Sequence, residues 1–410
     1  MSVGSLVPVC YSVSGELNKN VEQEDSMNFE LSEEHQQIRR TVRDFAEREV
    51  APYCEEWERQ EYFPLDLIKR MGQLGFFSVA FPEEYGGTGQ GWLANAIVAE
   101  ELARVCLGVA YSHNMQAGTC PMTILNWGTE EQKRAYLPKI ISCEMLGCFA
   151  VTEPNAATDV AGIETTAIRK DDHYIVNGSK TWITHGTVFD VGILFAKTDP
   201  TQRHKGLSAF IITGDLEGLE RRKIKDKLGV RISPTAELFL DDCKIPAENL
   251  LGKEGEGFKV AESSLAYGRI SVGVRGLGLA QSCLESSLKY ANERTQFGVK
   301  IGTFQLVKEM IAEMAVDIEA ARLLIYQAAW LVDQGRTNRH KCNLAKYFGG
   351  EVGFRCAEKT ARIYGAYSYS GDFPAARYFR DCMVNIAGEG HSNILKIVIA
   401  NHVLGWKLQE

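Results

Sequence analysis

Hydrophobic positions along the chain recur first with a helical period, then with a strand period, then with a helical period again. From Phe29 to about Glu144 apolar residues fall on one helical face, as in Ile38, Val42, Phe45 and Val50. Leu31 precedes Ser32-Glu33-Glu34, a helix start with acids in its first turn, and Phe63-Pro64 opens a second helix through Leu67, Ile68 and Met71. The break Gly86-Gly87-Thr88-Gly89 stands ahead of the run Leu93 to Leu107. Between about Gly147 and Leu251 the period moves towards two. HYIVNGSKTWIT from His173, VGILFAKT from Val191, LSAFIIT from Leu207 and AELFLDDCKI from Ala236 read as short strands separated by turns. After Gly257 the helical period returns, broken around Gly335 and across Gly365 to Gly371. The pattern predicts an extension over 1–26, a helical domain over 27–146, a β domain over 147–255 and a second helical domain over 256–410.

Composition fits that division and narrows the partners. The 410 residues are 45% hydrophobic and 24% charged, enough to bury a sizeable core. Lys plus Arg (45) against Asp plus Glu (53) leaves −8, without the basic excess that nucleic acid demands. No apolar run approaches a membrane span. The eleven cysteines contain no CxxC pair, the closest being Cys143 and Cys148; an odd count without a secretory signal predicts free thiols in the cytoplasm. The first 26 residues are acid-containing and Arg-free, unlike a transit peptide, and Met27 is an alternative start.

Several chemistries are excluded by missing motifs. No strand, GxGxxG and helix unit is present, and the glycine cluster Gly252 to Gly257 carries no phosphate fingerprint. GSKT at Gly178 lacks the upstream Gly of a P-loop, and no GxSxG elbow supplies a hydrolase nucleophile. His113, His185 and His391 lie near candidate segments but form no HxxxH or HxxE pair, so no metal is expected and each reads as a structural histidine with its hydrogen bonds met or as a support for a neighbouring site residue.

Four segments carry candidate chemistry, each beside an ordinary reading. Phe149 to Asp159 runs from a strand ending in Thr152 into a loop of small residues with exposed N–H groups, suited to a flat ring or an anion, or simply a loop of Asx and ST turns. In Lys180 to Gly186, strand alternation places Trp182 and Thr184 on one face, suited to a flavin ring and its edge, or makes Trp182 a core residue. Arg294 in RTQFG could face a diphosphate or be a surface Arg at a helix end. Gly388-Glu389-Gly390 offers a mobile, approachable carboxylate for a general base, yet Gly255-Glu256-Gly257 repeats the pattern, and spacing does not choose between them.

In order, PEEYGGTGQG at Pro82, AVTEPNAATD at Ala150, GSKTWITHG at Gly178, RTQFG with FQ at Arg294 and Phe304, and GDFPAARYFRD followed by GEG resemble the acyl-CoA dehydrogenase family from about Asn28 to Leu404. The resemblance implies an α+β, mainly α fold: an N-terminal helical domain, a middle β-barrel-like domain and a C-terminal four-helix bundle, assembled as a homotetramer. It implies FAD between the β domain and the C-terminal helices. Phe149, Val151, Thr152 and Thr158 would contact the flavin, with Trp182, Ile183 and Thr184 packed on it. Arg294, Phe297 and Gln305 would hold the FAD of a neighbouring subunit, and Arg362, Gly365, Ala366, His391 and Asn393 would meet its adenosine end. Thr158, Ala266, Tyr267, Arg269 and Gly390 would contact the acyl-CoA or acyl-carrier-protein thioester.

The resemblance also makes Glu389 the base, as in short- and medium-chain members; the position used by isovaleryl-type members is Gly268 here. Glu389 would take the α-proton while the β-hydride passes to flavin N5, giving a trans-2-enoyl thioester, with the Glu389 N–H and a ribityl hydroxyl holding the enolate oxygen. Electron-transfer flavoprotein would be the acceptor. Arg362, Ala366, Ser368, His391 and Ala157 depart from the family pattern, the C-terminal ones at adenosine contacts. The stretch Leu107 to Asn114 lacks the Arg that binds glutaryl substrates, which fits a short, branched or cyclic acyl group. Rival readings are an oxidase or monooxygenase on the same fold, which oxygen reactivity would separate, and a non-enzymatic flavin- or acyl-binding protein.

Overall fold

The computed structural model describes residues 29–406, so the extension and the alternative start at Met27 lie outside the described residues. Helices fill the first block: α1 (Glu33–Phe45), running into a π turn (Ala46–Val50), α2 (Cys54–Gln60), α3 (Leu65–Gln73), α4 (Gly91–Val105), α5 (Leu107–Ala117), α6 (Thr119–Trp127) and α7 (Glu130–Ile141). Ser32 caps α1 by accepting the His35 N–H, with Glu33 and Glu34 in the first turn where the helix dipole favours them. Thr129 and Gln132 form a reciprocal capping box on α7. Every residue of α5 is buried, including Ser112, His113, Asn114 and Gln116. That polar content at zero exposure needs partners or a purpose.

The sheet follows: β1 (Gly147–Ala150), β2 (Thr166–Lys170), β3 (His173–Ile183), β4 (Val191–Lys197), β5 (Leu207–Thr213), β6 (Leu219–Lys223), β7 (Ala236–Pro246) and β8 (Leu250–Leu251). Its hydrogen-bonded order is β6-β7-β3-β2-β4-β5-β8, with β1 parallel on β4. Ile193, Phe195, Ala209 and Ile211 join a core shared with the helices, while Leu194, Ala196, Phe210 and Ile212 form the sheet's own core. Burial on both faces is why VGILFA reads as a continuous apolar run.

Two local expectations are corrected here. β1 stops at Ala150 rather than Thr152, because the chain turns into a loop whose Thr152 carbonyl accepts the Thr181 N–H at 2.9 Å. Alternation along β3 also fails at its end: the register with β7 shifts between Lys180 and Ile183, and Trp182 takes φ 59°. Trp182 is therefore turned out, 61% exposed, while Ile183 is buried in the sheet's own core. The core-Trp alternative is excluded by the same bulge.

The third block is α8 (Gly257–Glu293), the hairpin β9 (Thr295–Gln296) and β10 (Val299–Lys300), α9 (Gln305–Asp333), α10 (Arg339–Tyr364), a 3₁₀ turn (Gly365–Tyr369), α11 (Pro374–Ala387) and α12 (Ser392–Leu404). α8 and α10 cross at backbone contact, since a Cβ on Gly276 would lie 2.2 Å from the Gly349 carbonyl oxygen. Residues of α4, α5 and α8 share one core, so the first and third blocks are packed together. All ten described cysteines are free and buried. Among the described residues no helix is long and apolar enough to cross a membrane, and no three-residue His/Cys/Asp/Glu group could hold a metal.

Candidate functional site

The turn between α11 and α12 carries Glu389 at φ 54° and Gly390 at φ 103°, a left-handed pair that aims the carboxylate back at α8. Glu389 Oε1 accepts from Asn114 Nδ2 at 3.0 Å and stands 4.0 Å from Arg275 Nη2; Oε2 has no partner. A Cβ on Gly268 would lie 1.5 Å from that Oε2. The missing side chain on α8 and the carboxylate that fills its place are one steric fact. Burial pushes the Glu389 carboxyl above its ordinary pKa; Arg275, Asn114, Arg269 and Lys346 pull the other way without cancelling the rise. Glu256, the twin in sequence, sits at the start of α8 in a 3.1 Å ion pair with Lys259, and that hydrogen bond holds its carboxyl below the usual range. Of the two, only Glu389, 17% exposed with Oε2 buried and without a partner, has the half-satisfied setting of a working base.

Arg275 is 2% exposed, its guanidinium 4.1 Å above the Tyr111 ring, with Nε and Nη1 unpartnered. The Tyr111 hydroxyl and Asn114 Oδ1 are likewise buried without partners. His113 lies beside them, fully buried and 5.9 Å from the Phe77 ring; burial and Arg275 push its pKa down to about 3. The Phe76 backbone beside its ring acts the other way. His185 has its hydrogen bonds met, by the Gly147 carbonyl at 3.0 Å and Ser112 Oγ at 2.9 Å.

The loop after β1 is held by a different device. Glu153 accepts the N–H groups of Glu164 and Thr165 at 2.5 and 3.1 Å, and Lys180 Nζ at 2.7 Å; Lys180 also donates to the Val151 carbonyl at 3.3 Å. Burial opposes ionisation of Glu153, but Lys180 and the amides carry its carboxyl below the usual range, while burial pushes Lys180 down to about 8. The pair pins the loop to β3, so that Thr152, Thr184 and the exposed Trp182 border one another's strands, with Phe149 edge-on to Phe195 at 5.1 Å and Thr158 exposed. An open indole beside half-buried hydroxyls, on a sheet that buries Tyr174, Phe195 and Phe210, fits a flat ring with polar edges.

The remaining expected residues fall into two places. Tyr267 packs 4.9 Å from Trp92, Ala266 is buried beneath it, and Arg269 Nη1 donates to Asn343 Oδ1 at 2.9 Å. At the other end of α8, Arg294 lies 5.3 Å over Tyr367 of the 3₁₀ turn, which brings it to Gly365 and Ala366. Phe297 is 94% exposed and Gln305 exposed. Arg362 is exposed and paired with Glu358 on its own helix, and His391 caps α12 by accepting the Asn393 N–H at 3.2 Å.

Sequence reasoning missed Arg275, Asn114, Tyr111 and the Glu153–Lys180 pair. A usable signal existed for Arg275, a lone charge inside the small apolar run from Ile270 to Leu279.

Helices, sheet and helices, with a half-buried carboxylate where α5, α8 and the α11–α12 turn meet, define a three-domain fold. Family models of the acyl-CoA dehydrogenase N-terminal, middle and C-terminal domains match residues 32–144, 148–243 and 255–404. The chain is 46% identical over 384 residues to a glutaryl-CoA dehydrogenase of Desulfococcus multivorans, covering 92% of this chain and 98% of that one. It is 39% identical over 377 residues to a short-chain-specific acyl-CoA dehydrogenase of Clostridium acetobutylicum, covering 92% and 100%. A solved glutaryl-coenzyme A dehydrogenase in complex with glutaryl-CoA superimposes with a TM-score of 0.91 at 45% identity, covering 93% of this chain and 98% of that one. The chain belongs to the acyl-CoA dehydrogenase family, a family of FAD-dependent oxidoreductases.

Proposed function

We propose that this chain dehydrogenates an acyl thioester, acyl-CoA or its carrier-protein equivalent, to the trans-2-enoyl thioester, with Glu389 as the base. The observation that carries the reading is the Glu389 carboxylate, buried at the α5–α8–α11 junction with Oε2 free and Gly268 leaving it room. Glu389 takes the α-proton, while Asn114 orients the carboxylate through Oε1. FAD, when bound, supplies the acceptor for the β-hydride. Phe149, Val151, Thr152, Thr158, Trp182, Ile183 and Thr184 would hold its ring. Arg294, Phe297 and Gln305, and Arg362, Gly365, Ala366, His391 and Asn393, would hold its outer parts across a homotetramer. Support for that assembly is the seven-residue spacing of exposed Val316, Leu323 and Trp330 on α9, an apolar stripe suited to a second copy. Thr158, Ala266, Tyr267, Arg269 and Gly390 would line the thioester path, and an electron-transfer flavoprotein would take the electrons.

The test is anaerobic bleaching of the yellow holoenzyme by butyryl-, isobutyryl-, isovaleryl-, octanoyl- and glutaryl-CoA. At least one thioester should bleach the wild type, and Glu389→Gln should stay yellow with flavin bound. A Gln variant that bleaches at the wild-type rate would remove Glu389 from the mechanism.

A further inference from the structure

The charges facing Glu389 do not balance for a plain hydrocarbon substrate. Arg275, Arg269 and Lys346 all act on the one carboxylate. Lys346 Nζ donates to the Ile386 carbonyl at 3.0 Å and Arg269 is engaged by Asn343, so each has a polar partner of its own. Arg275 has the Tyr111 side chain beneath it and Glu389 only at 4.0 Å: at 2% exposure it leaves Nε and Nη1 without acceptors. A buried guanidinium in that state carries a large desolvation cost. The cost rises during the proposed reaction, because a Glu389 that has accepted the α-proton no longer offers a counter-charge. The Tyr111 hydroxyl, within the same wall, also lacks a partner.

We propose that Arg275 is a specificity residue that binds a carboxylate at the far end of the acyl group, so that the preferred substrate is a dicarboxylic acyl thioester. The inference rests on the dehydrogenation reading above and adds the substrate class. Arg275 stands on α8 two turns beyond Gly268, so a substrate whose α-carbon meets Glu389 has its far end directed along the helix towards the guanidinium. In a five-carbon diacyl chain, three carbon–carbon bonds separate the α-carbon from the terminal carboxylate, a span that suits the Glu389–Arg275 separation. The segment 107–114 supplies the Tyr111 ring beneath Arg275 rather than an Arg of its own, so the cation comes from a different helix than sequence reading considered. The reaction balances as ordinary dehydrogenation: the α C–H proton goes to Glu389, the β C–H leaves as hydride to FAD, a C=C bond forms and the terminal carboxylate is unchanged.

The test compares glutaryl-CoA with pentanoyl-CoA, equal in carbon number and differing in the terminal group, on the FAD-loaded wild type, Arg275→Gln and Arg275→Lys. Wild type should prefer glutaryl-CoA by tenfold or more in kcat/KM. Arg275→Gln should lower the glutaryl-to-pentanoyl ratio of kcat/KM about 100-fold, whatever change the loss of its charge beside Glu389 makes to both rates, with Arg275→Lys between them. A wild type that takes pentanoyl-CoA as well as glutaryl-CoA overturns the proposal without recourse to any variant, as does an equal loss on both thioesters in Arg275→Gln, which would make Arg275 a support for Glu389 alone. Calorimetric binding of the two thioesters reads the same preference if neither is oxidised. Equal Kd values then overturn the Arg275 assignment, whereas a glutaryl preference without turnover keeps it and rejects the dehydrogenation reading.

Discussion

Two carboxylate–cation pairs, one fully buried and one whose carboxylate side chain is 17% exposed, are built to opposite specifications in this molecule. In the sheet, Glu153 and Lys180 are 3% and 0% exposed, 2.7 Å apart, and Glu153 takes two backbone N–H groups besides. At the helical junction, Glu389 and Arg275 stand 4.0 Å apart, with one carboxylate oxygen and two guanidinium nitrogens left over. The first pair has bound everything it can and fixes a loop. The second leaves hydrogen-bonding capacity unused, which the proposed reaction assigns to the substrate. Buried charge alone therefore does not mark a site; unspent hydrogen-bonding capacity beside it does.

The sharpest break of that comparison is Glu389→Gln. It should cut the reductive half-reaction by about 10²- to 10⁴-fold while leaving the melting temperature nearly unchanged, since the amide keeps the volume and the Asn114 contact. Lys180→Met should do the reverse in kind: stripping one partner from a satisfied buried pair costs about 3–5 kcal/mol of stability, read by denaturant unfolding, and leaves Glu153 an uncompensated charge. If Lys180→Met proved as stable as wild type, the two pairs would not differ as argued. Smaller again is Gly268→Ala, whose methyl would meet Glu389 Oε2 and Cδ. Displacing the base by a fraction of its side chain should lower kcat about 100-fold with little change in thioester Kd.

How much of this was legible beforehand follows the range of the interactions. Helix starts such as Ser32 and strands such as HYIVNGSK were readable because caps and alternation are local. For Trp182 a flavin-facing and a core placement both stayed open, because neither the register shift at the end of β3 nor a positive φ at a tryptophan leaves a mark in the sequence pattern. Glu389 and Glu256 were inseparable as Gly-Glu-Gly turns; what separates them is Gly268, more than a hundred positions upstream, vacating the space that one of them enters. Arg275 was overlooked for the same reason, as its meaning depends on Tyr111 arriving from α5 and Glu389 from the α11–α12 turn.

The smallest effect is also the one that distinguishes the pairs by sign. The Glu153 carboxyl is held below its unfolded pKa, so its contribution to stability is full above the unfolded value and is lost as pH falls through the folded one. The Glu389 carboxyl is held above its unfolded pKa, so its contribution is full below the unfolded value and is lost as pH rises through the raised one. Urea unfolding should therefore show Glu389→Gln gaining stability relative to wild type as pH rises above the usual carboxylate range, and Glu153→Gln losing it as pH rises from below that range up to it. The same raised pKa sets the acid limb of kcat/KM, since only the ionised carboxylate can accept the α-proton: activity should climb with pH above the usual carboxylate range. Parallel stability shifts in the two variants would mean that the free oxygen on Glu389 is matched by solvent, and that the contrast between a spent and an unspent pair is one of geometry without energetic consequence.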